Sequence, residues 1–250
     1  MAADVRRRPV IATEPPSPLP AASPLDRTFL TNLPGVTTMI LVRHGKQHFP
    51  HRDNPTNVDW VDPELSETGR RQADAVGRAL AGEQIDAVYS SPLMRALATA
   101  REIARHHHHL EPQIVADLRE VELFRDLPDP TALSALIGSD ELRRLQERFI
   151  RERRWDVYPY SESSAAFRAR VIPAVDAIAV RHRGERVVVA CHSGVVNAYL
   201  GHTLGLREDM FFRPAHASVS RVLADGDRRV VHSLNETHHL AVLDPPLVTV

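Results

Sequence analysis

The chain has 250 residues, of which 43% are hydrophobic and 25% are charged, and its formal net charge is −1. This length and composition suit one globular domain with an extension, and the near-zero charge gives no electrostatic argument for binding nucleic acid or an anionic membrane. The single cysteine, Cys191, excludes an internal disulfide and a cluster of thiolate metal ligands.

The N-terminal segment differs in composition from the rest of the chain. Residues 1–36 contain the proline-dense run 15–24 and show no apolar periodicity, which predicts a disordered, solvated tail; a docking motif for a proline-binding module is the alternative. No apolar stretch has the length needed to span a bilayer, and the polar run 13–16 interrupts any signal-peptide core. We therefore expect a cytoplasmic protein that does not bind membranes, with one catalytic domain over 37–250.

From residue 37 onward, short apolar runs alternate with amphipathic stretches. Predicted strands lie at 38–43, 85–90, 113–117, 186–191, 217–224 and 229–234. Predicted helices lie at 67–82, 93–106, 131–153, 163–182 and 194–205. Ser66 is placed to cap the first of these helices, and Ser91 the second, with Pro92 at its first position. Strands separated by helices predict a three-layer α/β/α sandwich with a mostly parallel central sheet and an antiparallel edge strand.

Polar side chains follow three of the predicted strands. Arg43 and His44 end the first strand, Ser91 and Arg95 follow the second, and His192 leaves the strand at 186–191. The carboxyl ends of parallel strands share one edge of a sheet, where α/β folds bind their ligands. The glycine after His44 is interpreted as a place where backbone approaches a ligand closely. The sequence therefore predicts one site at this edge.

These residue types suit phosphoryl transfer. Arginine forks bind phosphate oxygens in pairs, and a neutral histidine can attack phosphorus to give a phosphohistidine. Neighbouring arginines disfavour the imidazolium form and so keep that nucleophile neutral. A carboxylic acid must then protonate the leaving alcohol. Helix N-termini add backbone donors, one of them at Ser193.

The chain resembles the histidine phosphatase (phosphoglycerate mutase-like) superfamily over residues 37–235. The resemblance rests on ordered motifs: Arg43-His44-Gly45, Ser90-Ser91-Pro92 with Arg95 and Thr99, Leu118-Arg119-Glu120, and His192-Ser193-Gly194. It implies that His44 is the nucleophile and Glu120 the proton donor. It also implies that Arg43, Arg95 and His192 form the phosphate pocket, joined by Ser193 at the helix start. No metal or organic cofactor is implied.

The sequence also departs from the family pattern. Lys46-Gln47 follow the first motif where the family often has an acidic residue or Gln and then Thr. Phe49-Pro50-His51 occupies the place of a phosphate-contacting Asn. After Glu120, residues 121–126 replace a common Gly-x-Trp-Glu-Gly-like segment. These departures leave the phosphate pocket in place, and they leave the substrate unidentified beyond a phosphorylated small molecule.

Several residues have a second interpretation. Glu122 competes with Glu120 for the acid role, because alternation on a strand would point both the same way; Arg119 would then face away as a surface charge. The histidine run 106–109 follows a helix, and consecutive residues cannot all face one ion, so we interpret it as structural or solvated. The arginines at 143–154 are interpreted as a charged helix face, with a cap that grips an anionic substrate as the alternative.

The sequence favours a metal-independent phosphomonoesterase. A phosphoglycerate-mutase-type phosphotransferase and a catalytically silent phospho-ligand binding module remain alternatives. A serine hydrolase acting through Ser193 is remote, because a nucleophile elbow requires glycine where Cys191 stands. The oligomeric state is not encoded in any pattern that we could interpret.

Overall fold

The computed structural model of the protein describes residues 22–49, 56–132, 136–243 and 245–250. Within these ranges the strands are Thr37–Arg43 (β1), Ala87–Ser90 (β2), Gln113–Ile114 (β3), Arg186–Cys191 (β4), Val219–Asp225 (β5) and Arg228–Glu236 (β6). The α-helices are Pro24–Phe29 (α1), Glu67–Leu80 (α2), Met94–Ala104 (α3), Ser139–Glu152 (α4), Ser164–Arg181 (α5), Ser193–Thr203 (α6) and His238–Ala241 (α7). Short 3-10 helices lie at Asn57–Trp60, Ala116–Leu118 and Trp155–Val157.

The six strands form one sheet in the order β3-β2-β4-β1-β5-β6. The first four strands in this order are parallel, β5 is antiparallel to β1, and β6 pairs antiparallel with β5. The predicted mostly parallel sheet is therefore confirmed, and its antiparallel strand β5 lies one place inside the edge that β6 forms. Because β5 runs backwards, Val219 at its start pairs with Val42 near the end of β1. The chain just before β5 thus arrives at the same sheet edge as His44.

Alternation along β1 divides the core into two layers. Met39 and Leu41 pack on one face of the sheet against α5 and α6, whereas Ile40 and Val42 pack on the other against α2 and α3. All four side chains are fully buried, as expected for a central parallel strand covered on both faces. Burial of each such side chain contributes about 1.5–3 kcal/mol. This rigid strand therefore fixes the position of the residues that follow it.

The first part of the fold begins earlier than the sequence predicted. Helix α1 lies inside the predicted tail, Leu30 after it is buried, and Arg228 of β6 donates to the carbonyls of Arg27 and Thr28. The tail prediction therefore does not hold for residues 24–30, because Leu30 is buried and hydrogen bonds join this segment to the distant strand β6. The proline-dense run at 15–24 lies mostly outside the described residues. Among the described helices, none combines the length and apolar content that crossing a bilayer requires.

Helix α3 also starts later than predicted. Its N-cap is Leu93, with no side-chain cap, and its first residue is Met94. Ser91 therefore does not cap the helix. Its Oγ accepts a 3.3 Å hydrogen bond from the Leu93 amide and turns toward β4, where it meets His192. Cys191 is fully buried, as predicted for a small core residue.

Candidate active site

The turn after β1 is held by close backbone packing. A Cβ on Gly45 would overlap the carbonyl oxygen of Gly69, and its distance to the Gly69 Cα would be 3.2 Å. The Gly45 amide donates to Thr99 Oγ1 at 3.1 Å, and the Lys46 amide donates to Gln72 Oε1 at 2.8 Å. Glycine is therefore required here because the turn lies against the start of α2. The close approach shown here is to Gly69 of α2, and an approach of this backbone to a ligand stays a prediction.

His44 lies at the end of β1 with a defined tautomer. The residue is buried, and its Nδ1 lies 2.7 Å from the Gly45 carbonyl oxygen, which can only accept a hydrogen bond. Nδ1 therefore carries the proton and Nε2 carries the lone pair. Arg95 Nε donates to that Nε2 at 3.3 Å. Burial lowers the pKa of His44 well below its usual value, and the charges of Arg95, His192 and Arg43 lower it further.

Arg43 is anchored by residues that precede β5. It donates to the carbonyl of Pro214, and its Nη2 donates to His216 Nε2 at 2.9 Å. His216 Nδ1 in turn donates to Thr249 Oγ1 at 3.0 Å. Burial, and then the charge of Arg43, lowers the pKa of His216 to about 3, which keeps the ring neutral. The Nε atom of Arg43 is buried and has no hydrogen-bond partner within the described ranges.

Sequence reasoning missed His216, although a signal for it existed. An antiparallel strand next to a parallel one starts at the edge where the parallel strand ends. A histidine three residues before β5 therefore belongs to the same edge as His44, and the two ring centroids lie 5.9 Å apart.

His192 completes this group from the end of β4. Its ring is fully buried, its centroid lies 5.1 Å from that of His44, and its Nε2 lies 2.8 Å from Ser91 Oγ. Its Nδ1 is buried and unpaired among the residues for which the structure gives positions. Burial, followed by the charges of Arg95 and Arg43, lowers its pKa well below the usual value. We call Arg43, His44, Arg95 and His192 the histidine pocket.

Arg95 and Ser193 were both predicted to bind phosphate, but only the side chain of Arg95 lies beside His44. Arg95 is buried beside His44, donates to the Val61 carbonyl at 3.1 Å, and lies 3.8 Å from Asp62 Oδ1. Ser193 is at the start of α6, but its Oγ is directed to Met210 Sδ at 3.8 Å. The side chain of Ser193 is therefore not brought into the histidine pocket.

Glu120 approaches the pocket from the loop after the 3-10 helix at 116–118. Its carboxylate accepts hydrogen bonds from the Gly194 amide at 3.1 Å and from its own neighbour Val121 at 3.0 Å. Burial raises its pKa above the usual value, although these amides and the charges of Arg95 and Arg43 oppose the shift. Glu122 instead forms ion pairs with Arg119 at 2.5 Å and Arg125 at 3.7 Å. Of the two carboxylates, only Glu120 touches the element that carries His192.

The loop that carries Glu120 is held by a second group that sequence reasoning missed. Arg170 of α5 donates to both carboxylate oxygens of Glu162 at 2.8 Å, and Glu162 is 3% exposed. The remaining N–H groups of Arg170 donate to the carbonyls of Asp117 and Arg119 at 2.8 Å and of Glu120 at 3.0 Å. A half-buried arginine fork between an acid and three carbonyls fixes a loop geometrically as well as electrostatically. No local sequence pattern marks such a residue.

A cavity of about 760 Å³ opens from the histidine pocket. Arg119 lines it, so the prediction that this side chain is a surface charge facing away was wrong. The charged segment 143–154 behaves as the simpler interpretation predicted, because its arginines are exposed. Those at 143, 144, 148, 151 and 154 form ion pairs with acids close by in sequence, namely Asp140, Glu141, Glu152 and Asp156. Leu142 and Gln146 of α4 face the cavity instead.

The histidine run 106–109 lies after the end of α3. His107 is buried, and burial lowers its pKa. Across the described ranges, no three or more His, Cys, Asp or Glu side chains are grouped so that they could hold a metal ion.

Comparison with known proteins identifies the family. A sequence model described as the histidine phosphatase superfamily (branch 1) matches residues 39–237, which is most of the chain. The chain belongs to the histidine phosphatase superfamily. The matched range runs from β1 to just beyond β6 and includes the histidine pocket, Glu120 and His216.

Relatives in the histidine phosphatase superfamily are named either as phosphatases or as phosphoglycerate mutases. The chain is 31% identical over 212 residues to phosphoserine phosphatase 1 of Hydrogenobacter thermophilus, covering 81% of this chain and 93% of that protein. It is 30% identical over 209 residues to the metal-independent phosphoserine phosphatase of Arabidopsis thaliana, covering 82% and 84%. A phosphoglycerate mutase structure from Bacillus anthracis matches with a TM-score of 0.66 over 83% of this chain and 96% of that one, at 20% identity, which shows a shared fold.

Proposed function

We propose that the protein hydrolyses phosphate monoesters of small molecules through a phosphohistidine formed on His44. The observation that carries this proposal is the tautomer of His44: the Gly45 carbonyl holds the proton on Nδ1, so that Nε2 presents its lone pair toward Arg95 and His192. A neutral imidazole with a fixed lone pair, enclosed by cations, is arranged to attack an anionic phosphorus centre.

The remaining pocket atoms suit a phosphate dianion. Arg43 Nε and His192 Nδ1 are buried and unpaired within the described part of the chain, and a buried donor without a partner is costly. Phosphate oxygens would satisfy both donors, and the Arg95 guanidinium would turn its Nε–H from His44 to an oxygen of the same phosphate. The Ser193 hydroxyl has no place in this pocket, because its Oγ contacts Met210, whereas the Ser193 amide at the start of α6 stays a predicted donor to phosphate.

In the first step, the His44 Nε2 lone pair forms a bond to phosphorus while the ester P–O bond breaks. The alcohol leaves with the proton of Glu120. In the second step, the Glu120 carboxylate takes a proton from water, whose oxygen attacks phosphorus and releases inorganic phosphate and neutral His44. Each step conserves charge and atoms, and Glu120 ends protonated, ready for the next cycle.

The opposite pKa shifts of the two groups favour this cycle. The reaction needs neutral His44 and protonated Glu120 at the same time. With the ordinary pKa values of 6.5 and 4.5, that combination would reach only about 1% of the molecules at any pH. Because burial lowers the pKa of His44 and raises that of Glu120, the reactive combination becomes more populated.

The names of the relatives support hydrolysis of a phosphorylated small molecule without a metal. A mutase-type phosphotransferase and a silent phospho-ligand binding module are the alternatives that an experiment must separate. The contact of Ser193 Oγ with Met210 disfavours a serine hydrolase that acts through Ser193. The absence of nucleic-acid binding and a cytoplasmic location stay predictions.

The decisive experiment compares His44→Ala with His202→Ala, an exposed histidine of α6. We expect His44→Ala to lose phosphate release from monoesters by at least about 10³-fold, with an unchanged circular dichroism spectrum, and His202→Ala to behave as wild type. Rapid acid-free quenching with a labelled substrate should trap phosphate on His44. Turnover near wild type in His44→Ala would contradict the nucleophile assignment. Transfer of phosphate to phosphoglycerate instead of water would indicate the mutase, and binding without turnover the silent module.

A further inference from the structure

The cavity is much larger than the phosphate group that the histidine pocket would hold. Its volume of about 760 Å³ lies within the range of roughly 300–1,000 Å³ that is typical of sites for drug-sized ligands. Since Arg43, His44 and Arg95 of the histidine pocket line this cavity, the volume lined by other residues is available to the alcohol portion of a monoester. The residues that line that volume therefore indicate which kind of alcohol can bind there.

The wall beyond the histidine pocket is largely apolar. Leu123, Phe124, Leu142, Trp155 and Tyr158 all line it. The aromatic residues among them are fixed by packing: Phe149 stacks on Trp155 with ring centroids 4.6 Å apart, and Phe124 meets Tyr158 edge-on at 6.0 Å. A packed wall of this kind binds an apolar group without first having to order its own side chains.

The cations of this outer part have oxygen partners, although Arg119 Nε is buried and has no hydrogen-bond partner among the described residues. Arg119 and Arg125 both form ion pairs with Glu122, at 2.5 Å and 3.7 Å. Arg213 Nη2 donates to the main-chain oxygen of Val250 at 3.0 Å. A carboxylate on the substrate would have to compete with Glu122 for Arg119 and Arg125, and it would meet the negative charge of Glu122 itself. The lining thus disfavours small substrates that carry a second anionic group.

From this wall and this charge pairing, we propose that the substrate is a phosphate monoester of an uncharged, mainly apolar alcohol, such as an aryl-alkyl or medium-chain alkyl alcohol. The proposal rests on the proposed phosphatase function and narrows it. It differs from the substrate in the names of the phosphoserine phosphatase relatives, since phosphoserine carries both a carboxylate and an ammonium group close to its phosphate.

A series of straight-chain alkyl phosphates tests the proposal. Ethyl, butyl and hexyl phosphate have leaving groups of nearly equal basicity, so their chemical steps are alike and only contact with the cavity changes. We expect kcat/KM to rise about two- to fourfold for each added methylene, as burial of that group predicts. Phosphoserine and 3-phosphoglycerate should react no faster than ethyl phosphate.

Two variants on α4 test whether the dependence of kcat/KM on chain length arises from contact with the cavity wall. Leu142 faces the cavity, whereas Ile150 on the same helix is 74% exposed. We expect Leu142→Ala to lower kcat/KM for hexyl phosphate about threefold to tenfold while leaving ethyl phosphate nearly unchanged. Ile150→Ala should leave both substrates unchanged.

The outcomes separate this proposal from the function on which it rests. A flat dependence on chain length, or a preference for phosphoserine or phosphoglycerate, would overturn the apolar alcohol while hydrolysis through His44 still stood. An equal effect of Leu142→Ala on both alkyl phosphates would likewise overturn it. Failure to hydrolyse any of these monoesters would overturn both the function and the substrate class.

Discussion

Gly194 and Glu120 fit together in a way that leaves no room for a side chain on the glycine. The Gly194 amide donates to Glu120 Oε2 at 3.1 Å. A Cβ on Gly194 would overlap Oε1 of the same carboxylate and would lie 3.2 Å from both Glu120 Cδ and Phe167 Cζ. The glycine after His192-Ser193 is thus required by the carboxylate that α6 holds.

Gly194→Ala should therefore displace Glu120 and impair protonation of the leaving group. We expect hydrolysis of ethyl phosphate to slow about 10- to 100-fold, which is part of the 10²–10⁴-fold that general acid catalysis typically supplies. Hydrolysis of p-nitrophenyl phosphate should slow much less, since nitrophenolate leaves without a proton. Gly201→Ala in the same helix is the control, because its Cβ would meet nothing closer than 3.8 Å. Equal slowing of both substrates would contradict the acid role of Glu120.

Arg170→Lys should also slow hydrolysis of ethyl phosphate more than that of p-nitrophenyl phosphate, but for a different reason. Lysine keeps the charge beside Glu162 but cannot donate to that carboxylate and to three carbonyls at once. We expect kcat on ethyl phosphate to fall about tenfold more than kcat on p-nitrophenyl phosphate, because the Glu120 loop loses its fixed position.

Arg168 provides a matched control for Arg170. It lies on the same helix, pairs with the buried Asp209 at 3.2 Å, and donates to the carbonyls of residues 206–208. Arg168→Lys should lower the free energy of unfolding by a comparable amount without changing the ratio of the two substrates. If both variants changed that ratio alike, Arg170 would have only a structural role.

The pH dependence of kcat/KM should follow the two opposed pKa shifts. Protonation of His44 removes its lone pair, so the rate falls as pH falls, and this limb should lie below the ordinary histidine value of 6.5. Loss of the Glu120 proton lowers the rate as pH rises, and this limb should lie above the ordinary value of 4.5. The midpoints belong to the coupled pair. With ethyl phosphate the wild type should show both limbs, whereas with p-nitrophenyl phosphate, whose leaving group needs no proton, the limb at higher pH should disappear. A limb at higher pH of equal size with both substrates would exclude Glu120 as its origin.

His216 should make the stability of the fold depend on pH. Its pKa in the folded protein is about 3, against an ordinary value of 6.5, so between these values the unfolded chain binds more protons. Stability therefore falls as pH falls below 6.5, by about 2 kcal/mol at pH 5 from this residue. Denaturant titrations of wild type and His216→Gln at pH 7 and pH 5 should show a smaller drop in the variant. Equal drops would mean that His216 is not neutral in the folded state.

Chelation should leave the activity intact, because Arg43 and Arg95 supply the positive charge around the proposed phosphate position. We expect full phosphate release in the presence of EDTA. Vanadate, which adopts the trigonal-bipyramidal shape of the transferring phosphoryl group, should inhibit. Activity that is lost on chelation and restored by Zn²⁺ or Mn²⁺ would contradict the proposed mechanism.

Much of the fold was readable from the sequence because it is encoded locally. The apolar run before Arg43 and the run before His192 are buried on both faces of the sheet, as the predicted parallel strands required. Ser66 caps α2 as predicted, with its Oγ accepting from the Gly69 amide at 3.1 Å. Periodicity and capping depend on neighbours a few residues apart, so they leave a direct trace in the chain.

The contacts that position the site residues join segments far apart in the chain, so no local sequence pattern predicts them. Arg43 and His216 are 173 residues apart in sequence, and Ser91 and His192 are 101 apart. Local sequence predicted that Ser91 caps a helix, whereas in the fold its hydroxyl contacts His192. Arg170 looks like any other polar helix residue until α5 packs beside the Glu120 loop.

The sequence by itself determined the order of the six strands and of the five long helices α2–α6. It also predicted that His44, Arg43, Arg95 and His192 lie at one sheet edge, because a strand's end and its flanking residues are local properties. Only the tertiary structure decided which nitrogen of His44 holds the proton, which carboxylate meets α6, and which residues hold Arg43 and Glu120 in place. Those outcomes depend on hydrogen-bond distances between segments far apart in the chain, and such distances are set by how the layers pack.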